Sequence, residues 1–231
     1  MSGTRITSAI EVEGLAIAQG EAALRDVSLR VAPGESVAVV GDDQASLTLL
    51  VRCCGGLQRP DAGRVSVAGL DMVTADRHTL LDLRRTLGYV SIHGGLLANM
   101  TLRDNLELPL RYHAVDEPAA ISARVTALLD DAGLRALADA RASTMPAEIQ
   151  KCVAYLRAVA TEPQVLLVED PSALLNPQGR EIVRGLHRRL RERGVTVLVT
   201  DDDEAFAAEL TERQLHVVDG RLSTPPAGAT A

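Results

Sequence analysis

Aromatic residues are nearly absent from this chain of 231 residues: it has no Trp, one Phe and three Tyr. Stacking platforms for single-stranded nucleic acid are therefore scarce. A net charge of −7 also opposes the basic field on which nucleic-acid binding draws, so no nucleic-acid partner is expected. No run approaches the ~18 consecutive apolar residues that a bilayer-spanning helix needs. Residues 1–8 are too polar for a secretory signal, and a cytoplasmic location is expected. Three cysteines, an odd count without a C-x-x-C, supply no disulfide framework. Cys53 and Cys54 fall on a helical pattern and are expected to pack as small hydrophobes, while Cys152 stands alone.

What is present points to an α/β protein. The chain is 46% hydrophobic, and its length admits one large α/β domain or a core with a helical insertion. Residues 37–40, 165–168 and 195–199 are short, nearly continuous apolar runs, as parallel strands covered on both faces require. Further strand-like stretches lie at 11–17, 27–31, 64–67, 87–92 and 215–218. Helical patterns fit 47–54, 103–110, 119–131, 147–161, 178–191 and 204–210. The first 60–70 residues are strand-rich and 103–160 is helix-rich, which suggests an α/β core carrying a helical subdomain. The last nine residues, STPPAGATA, read as a disordered tail.

The sequence GDDQASLTLL, residues 41–50, follows an expected strand and precedes an expected helix. That is the setting of a phosphate-binding P-loop, G-x-x-x-x-G-K-[ST], but only Gly41 and Thr48 satisfy the pattern. Ser46 stands at the second glycine and Leu47 at the lysine. Gln44, Ala45 and Ser46 carry side chains where backbone N–H groups would curl around phosphate. Asp42 and Asp43 place carboxylates at the start of the following helix, where the helix dipole favours anions. They would satisfy that site internally and repel a polyphosphate. At ~6 Å and an effective dielectric of ~20, each carboxylate–phosphate pair costs about 2–3 kcal/mol before screening. The loop alone fits an eroded P-loop and a plain turn equally.

The order of segments resembles the nucleotide-binding subunit of ATP-binding-cassette (ABC) transporters from Glu11 to about Leu222. The stretches that carry the likeness are LRDVSLRVAPGESVAVVG before the loop, GLQRPDAGRVSVAGLD after it, and RAVATEPQVLLVEDPSALLNPQG late in the chain. The resemblance implies an ABC ATPase fold of the P-loop NTPase kind. Such a fold has a mostly parallel core sheet, an N-terminal antiparallel β subdomain and a helical subdomain over about 95–162. The cassette-like domain would span 11–222, with disordered tails at 1–10 and 223–231. The family's functional positions fall on unsuitable residues. The P-loop lysine falls on Leu47, and the γ-phosphate-sensing glutamine on Ile92. The signature L-S-G-G-Q falls on MPAEI at 145–149, the switch histidine on Asp201, and the adenine-stacking aromatic near Gln19.

Each change has a chemical consequence. Pro146 removes both an N–H and the signature hydroxyl, and Glu148 adds a negative charge where a phosphate should arrive. VLLVED ends in Glu169–Asp170, where the family has Asp followed by a catalytic Glu, so the acids stay but their reach is exchanged. A misplacement of that size can cost ~10²-fold. A metal remnant would require Asp42, Asp43, Glu169, Asp170 and Asp201 to converge as oxygen ligands beside Thr48. The plainer reading is that Glu169 and Asp170 hold local geometry. No catalytic residue, metal or nucleotide cofactor is therefore expected, with Glu169, Asp170 and Asp201 vestigial for chemistry. Gly41, Gln44, Leu47, Thr48 and Ile92 are likewise vestigial for nucleotide.

Residues 94–113, GGLLANMTLRDNLELPLRYH, resemble the segment that docks the membrane subunits' coupling helices. Their wording is most similar to the lipid-trafficking Mla and Mce type systems. Leu96, Leu97 and Met100 are the expected docking residues, the alternative being that they pack within the helical subdomain. The resemblance implies a degenerate ABC subunit, a pseudo-ATPase peripheral to the inner face of a bacterial membrane. Its partners would be transmembrane subunits and a second cassette, in a homodimer or heterodimer. The competing expectations are a slow ATPase that uses ATP and Mg²⁺, and a soluble regulatory module with the same fold.

Overall fold

A computed structural model describes residues 8–113 and 117–223. The tails expected at 1–10 and 223–231 lie almost wholly outside the described residues. Within them, Ile10 opens the first strand and Ser223 closes the last.

The N-terminal half of the fold is an antiparallel sheet. β1 (Ile10–Gln19) alternates with Ile10, Val12, Leu15 and Ile17 inward, and pairs with β2 (Ala22–Val31), whose Leu24, Val27, Leu29 and Val31 face the same core. β2 begins five residues earlier than its apolar pattern suggests. The pairing register shifts between Val12 and Leu15 and again between Leu15 and Ile17, and Asp26 has φ 56°. Such a bulge breaks the period of two by which a strand is read. β4 (Ala62–Val67) and β5 (Leu70–Asp71) complete the order β2-β1-β4-β5.

The second sheet has the order β10-β9-β3-β8-β7-β6, from β3 (Ser36–Val40), β6 (Leu87–Val90), β7 (Val165–Glu169), β8 (Thr196–Asp201), β9 (Arg213–Val218) and β10 (Arg221–Ser223). Its pairings are parallel except β9–β10. Every residue of β3, β7 and β8 is buried, which explains their unbroken apolar runs. Side-chain alternation divides them between two cores. Val37, Val39, Leu167 and Leu198 join the antiparallel sheet and α1 (Gln44–Cys54), with Cys53 and Cys54 packed among them. Ala38, Val40, Val168, Val197 and Val199 face the helices on the other side.

Those helices are α3 (Leu102–Tyr112), α4 (Pro118–Asp131), α5 (Ala147–Val159), α6 (Pro177–Glu192) and α7 (Glu204–Leu210). α3 starts at a capping box in which Thr101 and Asp104 exchange hydrogen bonds. α2 (Arg77–Leu83) has no counterpart in the apolar pattern because its apolar face is only Leu80 and Leu83, both partly buried. It is started instead by Asp76, whose carboxylate accepts from the Thr79 N–H at 2.8 Å.

The two-core arrangement gives a contrast on one stretch of chain. Leu50 is fully buried in α1 and Leu57, just past it, is 53% exposed. Leu50→Ala should cost about 2–5 kcal/mol of unfolding free energy and Leu57→Ala within ~0.5 kcal/mol, read from urea denaturation.

Candidate functional site

The parallel strands β3, β7 and β8 end on one edge of the sheet, and the residues singled out in the sequence gather there. Gly41 follows β3 directly. A Cβ at this position would lie 2.4 Å from the Val217 carbonyl oxygen of the neighbouring β9, so the glycine is required by strand packing alone. α1 then starts at Gln44, not near residue 47 as the helical pattern suggests. Its first turn therefore takes up residues that a phosphate cradle would keep as loop.

Asp43 begins this helix. Its carboxylate accepts from the Ala45 N–H at 3.1 Å and the Ser46 N–H at 3.3 Å, and from the Ser46 hydroxyl. The Leu47 N–H donates to the Asp43 carbonyl at 3.1 Å, and Ser46 Oγ accepts from the Ala23 N–H at 2.8 Å. The N–H groups that make a helix start attractive to anions are thus held by an anion from the chain itself. Leu47 is fully buried in the core between the sheets, so the position offers neither charge nor access. Thr48 is half-buried. The Gln44 side-chain amide is buried with no hydrogen-bond partner among the described residues. Beside the loop, Glu21, Asp42, Asp43 and Asp219 line a cleft of about 340 Å³ together with Arg25. The Arg25 guanidinium donates to the Asp219 carbonyl at 3.0 Å.

The acids at the strand ends do not converge. Strand alternation turns Glu169 toward α1, where it is fully buried and accepts from Arg52 Nε at 3.1 Å, the Ile92 N–H at 3.0 Å and the Tyr89 hydroxyl. The half-buried Ile92 thus meets Glu169 through its backbone. Burial, reinforced by Glu169, pushes the Tyr89 hydroxyl well above its usual range, so it stays a donor. Asp170 and Asp201 belong to the opposite face. The Asp201 carboxylate is fully buried and accepts from the Ser172 N–H at 3.0 Å, Ser172 Oγ at 2.7 Å and the Asp203 N–H at 3.0 Å. Asp170, at φ 44°, accepts from Ala173 N at 3.0 Å and lies 3.2 Å from Ser172 Oγ, whose one proton it shares with the nearer Asp201. Among the described residues only Asp170, Asp201 and Asp202 bring carboxylate oxygens within 4.8 Å of one another. The five-acid convergence considered from sequence is therefore corrected: Asp42, Asp43 and Glu169 lie outside that group.

Three residues of this knot were not singled out from sequence: Arg52, Tyr89 and Lys151. Lys151 is the chain's single lysine and is 1% exposed. Its ammonium donates to the carbonyls of Ser91, Ile92, Glu169 and Asp170 at 3.2, 3.1, 3.0 and 2.9 Å. Burial lowers its pKa to about 8 against the opposing pull of Asp170, Glu169 and Asp201. The signal that could have found it is a lone charged residue on a helix face otherwise made of Cys152, Tyr155 and Leu156.

The segment at 145–149 places Pro146 at the start of α5 with no side-chain cap, and Glu148 in the first turn. Pro146 and Ala147 are exposed, as is Gln19 at the end of β1. The expected docking residues separate. Leu96 is partly buried against the helical core, Met100 is half-buried, and Leu97 is 44% exposed. Their loop is held firmly. Buried Asn105 accepts from the Leu97 N–H at 2.7 Å and donates to the carbonyls of Leu97 and Thr101, and Arg157 donates to the carbonyls of Gly94 and Gly95. Leu108 and Tyr112, one turn apart on α3, are 40% and 68% exposed and are further exposed apolar groups beside those read from sequence.

Comparison with known proteins agrees with this architecture. Residues 24–173 match the ABC transporter family. The chain is 36% identical over 192 residues to the methionine import ATP-binding protein MetN 2 of Paraburkholderia xenovorans, covering 83% of this chain and 50% of that protein. It is 34% identical over 208 residues to the macrolide export ATP-binding/permease protein MacB of Salmonella typhimurium, covering 89% and 32%. It thus spans half of the first relative and about a third of the second. Among solved structures, the dimeric ATP-binding cassette MJ0796 bound to ADP and Pi superposes with a TM-score of 0.84 at 25% identity, over 93% of this chain and 97% of that one. The fold, with its antiparallel N-terminal sheet and mostly parallel core, is that of an ABC ATPase cassette. The chain belongs to the ABC transporter ATP-binding family. No helix among the described residues is long and apolar enough to cross a membrane.

The acid knot generates a pH prediction. Burial raises the Asp201 pKa from 3.8 to about 6, only partly offset by the hydrogen bonds from Ser172 and Asp203. The folded state therefore binds the extra proton between these values, and the contribution of Asp201 to stability grows as pH falls through 6 and is lost as pH rises above it. The difference in unfolding free energy between wild type and Asp201→Asn, read from urea denaturation, should shift in favour of wild type from pH 7 to pH 4, by up to about 3 kcal/mol. A difference independent of pH would contradict the assignment.

Proposed function

We propose that the chain is a pseudo-ATPase: a cassette subunit that supports or regulates a membrane transporter without binding or hydrolysing nucleotide. The observation that carries this reading is the Asp43 carboxylate on the Ala45 and Ser46 N–H groups. A phosphate would have to displace it from the helix start and then face Asp42 and Glu21 beside it. The fit of ATP and Mg²⁺ to these residues is poor in three further respects. Leu47 is sealed in the core. Glu169, at the metal position, already accepts three hydrogen bonds and pairs with Arg52. Asp170 is turned to the Ser172 side with its carboxylate engaged.

The positive part of the role is docking. Leu97, Leu108 and Tyr112 are exposed apolar side chains on a loop and helix held by Asn105 and Arg157. Exposed apolar groups on a rigid support favour a protein partner. The partners inferred are transmembrane subunits and a second cassette, which would place the chain at the inner face of the membrane. The lipid cargo suggested by the wording of 94–113 draws no support from relatives named for methionine import and macrolide export.

Two measurements test this. Calorimetric titration with ATP, with and without Mg²⁺, should give no saturable heat at millimolar nucleotide. A Kd of about 100 μM or tighter, worth roughly 5.5 kcal/mol, would overturn the reading and bring forward a slow ATPase. Leu97→Asp combined with Tyr112→Asp should abolish co-purification with membrane subunits from native membranes while changing stability by no more than ~0.5 kcal/mol per site. Unchanged co-purification would argue for a soluble regulatory module.

A further inference from the structure

One cavity of the described protein lies away from the loop and the acid knot. It holds about 640 Å³, within the ~300–1,000 Å³ range of small-molecule sites. It opens where β7 and β8 begin, beside Val165 and Thr196. Glu169 is at the other end of β7, about 13 Å away by strand rise. The cavity is therefore not an extension of the nucleotide region.

Its walls are apolar. Leu128 of α4, Val159 at the end of α5, and Leu186 and Leu190 of α6 face one another across it. The backbone around its floor is satisfied: the Gly34 N–H donates to Thr196 Oγ1 at 2.9 Å, and the Thr196 N–H to the Gln164 carbonyl at 3.0 Å. An occupant is thus offered hydrocarbon contact inside, with these two N–H groups already paired.

The mouth is basic. Arg189 in the last turn of α6 and Arg193 at its C-cap, four residues apart, line it together. Neither forms an ion pair or a side-chain hydrogen bond among the described residues, and the same holds for Arg188 and Arg191 beside them. Four unpaired guanidinium groups in six residues contrast with a chain whose net charge is −7. Stabilisation of a helix C-terminus accounts for basic residues in the last turn, but not for an apolar cavity beneath two of them. Two acids also reach the opening. Glu162 is 3.9 Å from Arg124, while Asp131 stands on the α4 side. With two carboxylates near the two arginines, the opening favours a single negative charge over a dianion.

We infer that this cleft binds a single-chain anionic amphiphile, a fatty-acid carboxylate, with its alkyl chain between α4, α5 and α6 and its carboxylate on Arg189 and Arg193. The guanidinium fork matches a carboxylate with two parallel N–H donors, and the alkyl chain gains the burial that the apolar walls provide. This inference is independent of the pseudo-ATPase reading and of the docking surface on α3.

The test is calorimetric titration of the purified full chain with dodecanoate, below its micellar concentration, alongside dodecanol and dodecyltrimethylammonium. Saturable binding of one dodecanoate per chain is expected, with both other compounds weaker. Arg189→Glu with Arg193→Glu should weaken dodecanoate about tenfold or more, the loss of a charge-assisted contact. Arg191→Glu, whose arginine does not line the cleft, should leave it unchanged. Gln164→Trp, an exposed lining position, should block the cavity without disturbing the core and abolish binding of every alkyl compound. Absence of saturation would overturn the inference. So would equal affinity for dodecyltrimethylammonium, or retention of binding in the double arginine variant.

Discussion

The start of helix α1 sets the character of the whole sheet edge. In a fold whose strands end together, the first helix after the central strand presents a cluster of N–H groups and the positive end of its dipole. Something anionic has to meet them. Here it is Asp43, two residues before Ala45, which accepts from two N–H groups and from Ser46. An internal cap carries no translational cost and is always at hand, so it competes with any diffusible anion at a permanent advantage. Once the helix begins at Gln44, Leu47 faces the core between the sheets and not the loop.

The same edge has turned charges inward. Lys151 joins the ends of β6 and β7 to α5 through four carbonyls, and Glu169 joins α1 to β6 through Arg52 and Tyr89. Buried charges are costly unless hydrogen-bonded on every side, and both of these are. The result is a rigid scaffold that links the helical subdomain to the sheet. Rigidity at this edge supports a docking loop whose own backbone is tied by Asn105 and Arg157. The link from sheet to loop is therefore mechanical and passes through buried polar groups.

Much of this was legible in the sequence, and the misses have physical causes. The central strands β3, β7 and β8 stand out as apolar runs because both their faces are covered, and α7 was bounded as observed. β2 was read short because a bulge at Asp26 breaks its alternation. α2 is hard to read because its apolar face is only Leu80 and Leu83, both partly buried, in a helix of seven residues. The late placing of α1 came from fitting the loop to a phosphate-binding frame, although an aspartate followed by helix formers is itself an N-cap signal. Five acids were considered as one group because sequence shows them as functional positions. Alternation along β7 already separates Glu169 from Asp170. Lys151, Arg52 and Tyr89 were invisible as a set because only the packing of α1, α5 and β6 brings them to Glu169.

Amide chemical shifts and hydrogen exchange of Ala45, Ser46 and Leu47, followed while inorganic pyrophosphate or ATP with Mg²⁺ is added to the native chain, test the central claim most directly. If Asp43 holds these groups, their amides are protected from exchange in the free protein and their shifts stay put up to millimolar ligand. Rapid exchange in the free protein, or saturable shifts of these three amides on adding nucleotide, would show that the helix start still serves as a phosphate cradle.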